Sequence, residues 1–473
     1  MTPSPQDIER DITRRQFLGR QATGIGTLAL ASLLNRSASA NDSAQAKPKV
    51  TAKRVIFLFQ SGGPSQFETF DYKPKLNERD GEPMPASVTD GQRLAQIRGQ
   101  ELKIVGGRFK FARHGESGAN VSELLPHTAK IVDDLCIVRS MHTEAINHDP
   151  AVTFMQTGNS QPGRPCFGSW MSYGLGAENE ELPTFVVLPS GMDQGQPLHA
   201  RYWSSGFLPG KHQGTLFRPH GDPVLFLSNP EGITAKIRRV QLDGLAELNR
   251  KRFETIGDPE IATRINQFEL AYRMQRSVPE LIDVSDETES TLAMYGPDVT
   301  KPGTFAANCL LARRLAERNV RFIQLYHRGW DQHTNLPEDI AHQCKSTDQA
   351  SAALIRDLKQ RGLLEDTLVI WSGEFGRTPM LQATPKAGSY GRDHHMKCFS
   401  LWLAGGGIRS GQVVGSSDEL GYNIQKNPIH VHDLHATLLH CLGIDHEALT
   451  HHHQGRDFRL TDVSGNVVPN LLY

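Results

Sequence analysis

The sequence lacks a strong net charge, a long apolar run and any paired-cysteine motif. Its 473 residues carry 51 Lys and Arg against 52 Asp and Glu, so the formal net charge is −1 and no bulk field attracts nucleic acid or an anionic membrane. The six cysteines show no C-x-x-C spacing, which indicates buried thiols rather than a disulfide framework or a zinc cage. No segment is apolar over the roughly 20 residues that a membrane-spanning helix needs. We therefore predict no nucleic-acid partner and no stable membrane anchor.

The first 40 residues resemble a twin-arginine export signal. Arg14 and Arg15 precede a modest apolar run, and small residues follow that run up to Ala40, which is the order that such signals show. An ordinary basic amphipathic start is the alternative. We predict a signal over residues 1–40, a linker over residues 41–52, the twin-arginine export machinery as a partner, and a periplasmic or secreted location.

Continuous apolar, β-branched runs predict strands that are buried on both faces of a sheet. These runs span residues 54–59, 135–140, 184–189, 320–326, 367–371 and 399–404. Helical patterns lie between several of them, at residues 304–319 and 347–362. Strands that alternate with helices favour an α/β fold with a doubly wound, mostly parallel sheet, and we predict one such domain over residues 53–473. A Gly-, Pro- and His-rich stretch and a charged helical stretch (about 232–275) interrupt this alternation of strands and helices. We interpret residues 190–300 as a cap region inserted over the strand ends.

Polar residues of metal-ligand type lie next to several of these strands. They occur after strand 320–326 (Asp331, His333), after strand 367–371 (Glu374, Arg377) and before strand 399–404 (His394, His395). Ligands bind beyond the carboxyl ends of the strands in open α/β sheets, and carboxylates and neutral imidazoles suit zinc or another divalent metal. Each residue alone could be a cap or an ion-pair partner, but their shared location favours one cluster. We predict a divalent metal site, with zinc as the first choice and manganese or calcium as alternatives, held by Asp331, His333, a histidine of the pair His394–His395, and Glu374.

His148 lies at the start of a predicted helix that follows the strand at 135–140. Asp149 and Pro150 are typical of a helix start, with Asp149 as the N-cap and Pro150 in the first position. The helix dipole disfavours a charged imidazole here, so we expect a neutral His148 that binds metal or acts as a base. An ordinary loop histidine is the alternative, and for Asp149 we favour a purely capping role.

Four stretches together resemble the alkaline-phosphatase/sulfatase superfamily and, within it, the exported domain-of-unknown-function family 1501. "TLVIWSGEFG" is similar to the sulfatase stretch "TLVIFTSDHG", and "HDPAVTFMQTG" is similar to the sulfatase signature C-x-P-S-R-x-x-L-x-T-G. "GWDQHTN" resembles the D-x-x-x-H metal loop of the phosphatases, and "VHDLHATLLHCLGID" resembles the helix "DLAPTLLDLAGI" that closes the sulfatase fold. The resemblance covers nearly all of the chain after the predicted signal. It implies an alkaline-phosphatase-like fold and a small-molecule or saccharide ester as substrate.

The chain departs from the pattern of the superfamily in two places. His148 replaces the Cys, Ser or Thr nucleophile at the helix start, and Gln60-Ser61 replaces the acidic pair after the first strand. We therefore expect a hydrolase of phosphate or sulfate esters that uses metal-bound hydroxide, with Glu374 or His148 as general base and Arg377 or Arg164 facing the oxyanion. The alternative is a non-catalytic, metal-stabilised binding or scaffold protein that has lost the nucleophile. Burying convergent polar groups without a use for them is costly, and this opposes the alternative.

Overall fold

The computed structural model describes residues 48–191, 196–219, 221–225, 227–382 and 389–473. The predicted signal and most of the predicted linker lie outside the described residues, so both remain predictions. The strands are β1 (Arg54–Gln60), β2 (Phe111–His114), β3 (Ala119–Ser122), β4 (Cys136–His142), β5 (Phe185–Ser190), β6 (Thr215–Leu216), β7 (Phe322–His327), β8 (Thr367–Ser372), β9 (Gly376–Gln382), β10 (Gly391–His395), β11 (Phe399–Ala404), β12 (Gln412–Val414), β13 (Ser416–Ser417), β14 (Ile424–Lys426), β15 (Ile429–His430), β16 (His451–His453) and β17 (Arg456–Phe458). The helices are α1 (Pro74–Glu78), α2 (Ala86–Thr89), α3 (His148–Thr157), α4 (Phe167–Leu175), α5 (Ala235–Ile256), α6 (Pro259–Ile282), α7 (Glu289–Tyr295), α8 (Phe305–Glu317), α9 (Leu336–Gln360) and α10 (Val431–Cys441).

A nine-stranded sheet forms the centre of the described part of the chain, in the order β12-β4-β11-β8-β1-β7-β5-β6, with β15 beside β4. β1 pairs in parallel with β7 and β8, and β5 pairs in parallel with β7 and β6. β11 is antiparallel to both of its neighbours, β4 and β8. The sheet is therefore mixed but mostly parallel, and the predicted fold class is confirmed.

The two faces of this sheet carry two separate cores. Val55, Phe57 and Phe59 of β1 pack on one face with residues of α3, α4 and α10. Ile56 and Leu58 point to the other face and pack with residues of α8 and α9. This alternation follows from the period of two in a strand, and each fully buried side chain of this size contributes roughly 1.5–3 kcal/mol. Helices on both faces make the sheet doubly wound.

The six predicted strands all occur, with ends within about two residues of the predicted ones. The predicted helix at 304–319 corresponds to α8. The helix predicted at 347–362 begins earlier, at Leu336, where Pro337 occupies the first turn. A proline fits this place because the amide hydrogens of a first turn have no partner within the helix. The charged stretch 232–275 is two helices, α5 and α6, which pack on each other.

The first part of the predicted cap region lies near the carboxyl ends of the strands. There, Gln196 donates to Asp331 at 3.2 Å. The long helix α6 is elsewhere, because Arg273 and Ser277 donate to the backbone carbonyls of Glu180 and Glu181 in the loop that enters β5. That loop is at the amino ends of the parallel strands, so α6 does not cover the site.

All six cysteines are buried and unpaired, as predicted. Within the described ranges, no helix combines the length and the apolar character that crossing a bilayer requires.

Candidate metal centre

Four side chains meet beyond the carboxyl ends of the central strands. His148 begins α3 just after β4, Asp331 and His333 lie in the loop after β7, and His394 belongs to β10. The β9–β10 hairpin reaches the same edge because β11, which follows it, runs against its neighbours and therefore starts where they end. One ligand atom from each of the four residues lies within 4.8 Å of the others.

Asp331 is at the centre of this group. Its Oδ1 is 2.7 Å from Nε2 of His333 and 3.5 Å from Nε2 of His394, and its Oδ2 is 3.1 Å from Nε2 of His148. The Nε2 atoms of His333 and His394 are only 3.0 Å apart. All three histidines thus aim the same nitrogen at one small space beside one carboxylate.

The other nitrogen of each imidazole is fixed by an acceptor outside the cluster. Nδ1 of His148 is 2.7 Å from Oε1 of Glu374, Nδ1 of His333 is 2.6 Å from Oε1 of Gln382, and Nδ1 of His394 is 2.9 Å from the carbonyl oxygen of Ile146. An acceptor on Nδ1 places the hydrogen there and leaves the lone pair on Nε2. Such partners orient the imidazoles that bind metals in proteins.

The donor set fits a divalent transition metal or zinc. Nε2 of His148 is buried and makes no well-formed hydrogen bond, although a carboxylate oxygen is nearby, so this atom lacks the partner that burial demands. Three imidazole nitrogens and one carboxylate oxygen are typical ligands of zinc and of manganese or iron. Calcium takes oxygen ligands, so the nitrogen-rich set disfavours it.

Charge interactions within the cluster are strong. Burial raises the pKa of Asp331, but the neighbouring imidazoles of His148, His333 and His394 and the charge of Arg377 outweigh burial and hold that pKa well below its usual range. Burial lowers the pKa of His394 to about 4, which leaves its imidazole neutral. Burial also lowers the pKa of His148, but the two carboxylates of Asp331 and Glu374 outweigh it and raise the pKa to about 9.

His148 differs from its prediction in one respect. The helix dipole predicts a neutral imidazole, whereas two carboxylates on either side of the ring keep it protonated when no ion is bound. Metal binding requires the proton to leave. The helix also begins earlier than predicted, because Asn147 is its N-cap. Asp149 is therefore not the cap, and its carboxylate accepts from Arg201 and Tyr202 instead.

Glycines allow the loops of the site to approach each other closely. Gly62, in the turn after β1, has φ +124°, and a Cβ there would lie 2.5 Å from the backbone nitrogen of Asp331. Its own amide donates to both oxygens of Glu374, at 3.0 and 3.1 Å. Gly391 is equally constrained, since a Cβ would lie 1.8 Å from the carbonyl oxygen of His333. Trp330, which lies between Gly329 and Asp331, is fully buried and packs edge-on against Trp371.

Arg377 holds the loops together and does not face open space. It is fully buried, its Nε donates to the carbonyl of Gly63 at 2.8 Å, and its Nη2 is 2.8 Å from Oδ1 of Asp331. The predicted role opposite an oxyanion does not fit this burial. Arg164 pairs with Asp462 at 3.1 Å rather than with the cluster.

The two other predicted ligands, Glu374 and His395, do not belong to the four-residue cluster. Glu374 is fully buried behind His148 and contacts Nδ1 of that ring, so it supports a ligand rather than completing the four-residue group. His395 points away: its Nε2 is 2.6 Å from the carbonyl oxygen of Tyr422, and its ring stacks on Tyr422. Of the histidine pair, the structure places His394 in the group.

Sequence reasoning missed three glutamines around the cluster. Besides Gln382, Gln196 contacts Asp331 at 3.2 Å and Gln96 lies 3.4 Å from His333. Gln382 also donates to Gln96 at 2.9 Å. Amides carry no charge or periodic signal in a sequence, and only Gln382, which closely follows the predicted site residues Glu374 and Arg377, had any positional clue.

Residues 52–472 match a family model described as "Protein of unknown function (DUF1501)". The chain belongs to the domain-of-unknown-function family 1501. This confirms the family that the four sequence stretches predicted. No curated protein matches the chain by sequence.

Solved structures to which the chain shows some likeness include phosphatases and sulfatases. The PsFucS1 sulfatase from Pseudoalteromonas sp. is 12% identical over 89% of this chain and 72% of its own, with a TM-score of 0.35. The alkaline phosphatase from the Antarctic bacterium TAB5 is 13% identical over 75% and 92%, with a TM-score of 0.29. A protein in the alkaline phosphatase superfamily from Vibrio parahaemolyticus is 10% identical over 84% and 69%, with a TM-score of 0.37. At these scores the likenesses assign no activity to this member of family 1501.

Proposed function

We propose that this chain is a metal-dependent hydrolase of phosphate or sulfate esters. The observation that carries the proposal is the convergence of three Nε2 atoms on Asp331, with each Nδ1 fixed by its own acceptor. The cluster lies where ligands bind in open α/β sheets, beyond the carboxyl ends of the strands. A divalent cation held there would polarise an ester oxygen and make water a stronger acid at neutral pH.

The residues of the chain would take separate parts in this reaction. His148, His333, His394 and Asp331 would bind the ion. Glu374 would hold His148 in the orientation that presents Nε2, because its carboxylate accepts from Nδ1. The exposed amides of Gln96 and Gln196 border the cluster, and amide N–H groups of this kind stabilise oxygen atoms that gain negative charge.

We infer that water, and not a side chain, attacks the ester. By the resemblance of its helix start to the sulfatase signature, His148 would replace the nucleophile, but its Nδ1 is bound to Glu374 and its Nε2 faces Asp331. With Nδ1 held by Glu374 and Nε2 binding the ion, neither nitrogen would attack the ester. Glu374, fully buried behind the ring, supports His148 rather than contacting the ester, so the part of general base does not suit it.

A non-catalytic, metal-stabilised binding or scaffold protein is the second candidate. The observation that favours it is Arg377, the cation next to Asp331, which is buried and engaged by backbone carbonyls. Arg377 is therefore not available to bind an anionic ester. The retained set of four ligand residues favours the hydrolase.

A substrate panel distinguishes the two candidates. The purified protein, loaded in turn with zinc, manganese and iron(II), would be assayed with p-nitrophenyl phosphate, p-nitrophenyl sulfate and a phosphodiester. We expect turnover that His333→Ala abolishes and that His342→Ala, a change of an exposed histidine on α9, leaves intact. Absence of turnover on every ester, with metal fully bound, would support the scaffold. Acid-labile phosphoryl label on His148 during turnover would contradict attack by water.

A further inference from the structure

The helix α5 presents an exposed apolar stripe that nothing in the described part of the chain covers. Of its 22 residues only Leu242 is buried. The α5 stripe consists of six apolar side chains that are 39–66% exposed: Ile237, Val240, Leu245, Leu248, Phe253 and Ile256. Single exposed apolar residues are ordinary, but a continuous set of this kind marks a surface that binds something.

The α5 stripe has a regular geometry. Its residues follow one another in steps of three and five, so Val240, Leu248 and Ile256 lie on one row of side chains and the other three lie on the adjacent row. Rows of residues four apart are those that interdigitate when two helices pack against each other. The stripe is therefore shaped for another helix.

The six residues of the α5 stripe are placed symmetrically about the midpoint between Ala246 and Glu247. At equal separations on either side stand Leu245 and Leu248, Val240 and Phe253, and Ile237 and Ile256. Two antiparallel copies of α5 that cross at this midpoint would place each apolar residue opposite another. A two-fold interface requires this property, because the same surface must fit itself.

Two pairs of charged residues on α5 follow the same symmetry with opposite signs. Asp243 is matched by Arg250, and Arg239 is matched by Glu254. Asp243 is 65% exposed on its side chain and pairs with Arg239 of its own helix at 2.8 Å. Arg239 also pairs with Glu269, whereas Arg250 is exposed. Antiparallel pairing would bring Asp243 of each copy next to Arg250 of the other, which favours that register over shifted ones.

Gly244 gives an independent indication of close approach. It lies near the midpoint of α5, has no positive φ, and a Cβ there would meet nothing within 4 Å. Glycine is disfavoured in the interior of a helix, and no contact within the described chain requires it. The missing side chain leaves a recess next to Leu245 and Leu248 that a second helix would fill.

We propose that the α5 helices of two copies of this chain pair antiparallel around a two-fold axis at Ala246 and Glu247 and form a homodimer. One helix pair buries less surface than a permanent dimer does, so the association is reversible and depends on concentration. The proposal is independent of the ester-hydrolase function, because α5 packs beside α6, away from the metal cluster.

Sedimentation equilibrium of the purified chain over a wide range of loading concentrations tests the proposal. We expect a monomer–dimer equilibrium with a dissociation constant in the micromolar range. Val240→Asp and Leu248→Asp should each weaken it by at least about 30-fold, as burying an unpaired carboxylate is costly. Val463→Asp, the same change at a valine that is 80% exposed elsewhere, should have no effect. A monomer at all concentrations, or a dimer that neither α5 variant weakens, would overturn the proposal.

Charge reversal tests the register itself. Asp243→Arg and Arg250→Asp should each weaken the dimer, because each places like charges opposite one another at the two equivalent positions beside the axis. An equimolar mixture of the two variants should form a heterodimer. In it, one of the two equivalent positions keeps the native pair of charges and the other carries a pair with the two signs exchanged. Melting curves equal to those of the native chain would show that both variants are folded. Failure of the mixture to associate, when the native chain does, would reject the antiparallel register.

Discussion

The negative charge of Glu374, which accepts from His148, should raise the affinity of the site for its metal. Glu374 is fully buried, accepts from Nδ1 of His148 at 2.7 Å, and accepts from the amide of Gly62 with both oxygens. Glu374→Gln keeps the size of the side chain, removes the negative charge and places an NH₂ group against one of these two donors. Loss of such a partner typically weakens metal binding by about 10–100-fold, which corresponds to roughly 1.4–2.7 kcal/mol.

The reciprocal change at His333 serves as the matched variant. Gln382 accepts from Nδ1 of His333 at 2.6 Å without a charge, so Gln382→Glu should make that imidazole a better ligand and leave metal affinity equal or higher. Competition with a fluorescent chelator, for zinc and for manganese at neutral pH, measures both constants. A Glu374→Gln variant that binds as tightly as the native chain would refute the reasoning. So would a Gln382→Glu variant that binds as weakly as Glu374→Gln does.

Three further predictions concern export, acid stability and the backbone of the site. Arg14→Lys together with Arg15→Lys should leave the precursor in the cytoplasm, and mature protein outside the inner membrane in a fractionation experiment would contradict the signal. Burial lowers the pKa of His435 to about 3, so between pH 6.5 and that value only the unfolded state binds the proton. The free energy of unfolding therefore decreases as the pH decreases, by up to about 1.4 kcal/mol per pH unit. Guanidinium unfolding between pH 6.5 and 5 should show a smaller slope in His435→Gln and an unchanged slope in His452→Gln, which alters an exposed histidine. Gly62→Ala should destabilise the fold by about 2–4 kcal/mol in the same assay, since φ is +124° and Cβ would meet backbone, and a stability equal to that of the native chain would show that the loops can separate.

The sequence predicts the sheet well because its strands are buried on both faces. Runs such as "VIFLF" and "TLVIW" are continuous in apolar character and have no other plausible environment. The apolar pattern of β11 does not indicate that this strand is antiparallel to both of its neighbours. A strand has the same composition whichever way it runs, and the β9–β10 hairpin that reverses the chain has polar, charged strands.

The site was predictable in its residue types but not in its orientations. Asp331, His333 and His394 follow from their places next to strands. His394 and His395 are neighbours, and in a β-strand neighbours point to opposite faces, so which of them enters the cluster depends on the register of β10 with β9. Burial of Arg377 and the position of α6 at the far end of the sheet depend on long-range packing, of which the local sequence holds no trace.

Diffraction at the absorption edge of the bound metal tests the central claim most directly. Crystals of the purified chain, grown with the ion that it retains, should show one strong anomalous peak per chain. The account predicts that this peak lies at about 2.0–2.2 Å from Nε2 of His148, His333 and His394 and from a carboxylate oxygen of Asp331. A peak next to His395 instead, or no peak at this cluster in protein that contains metal by elemental analysis, would contradict it.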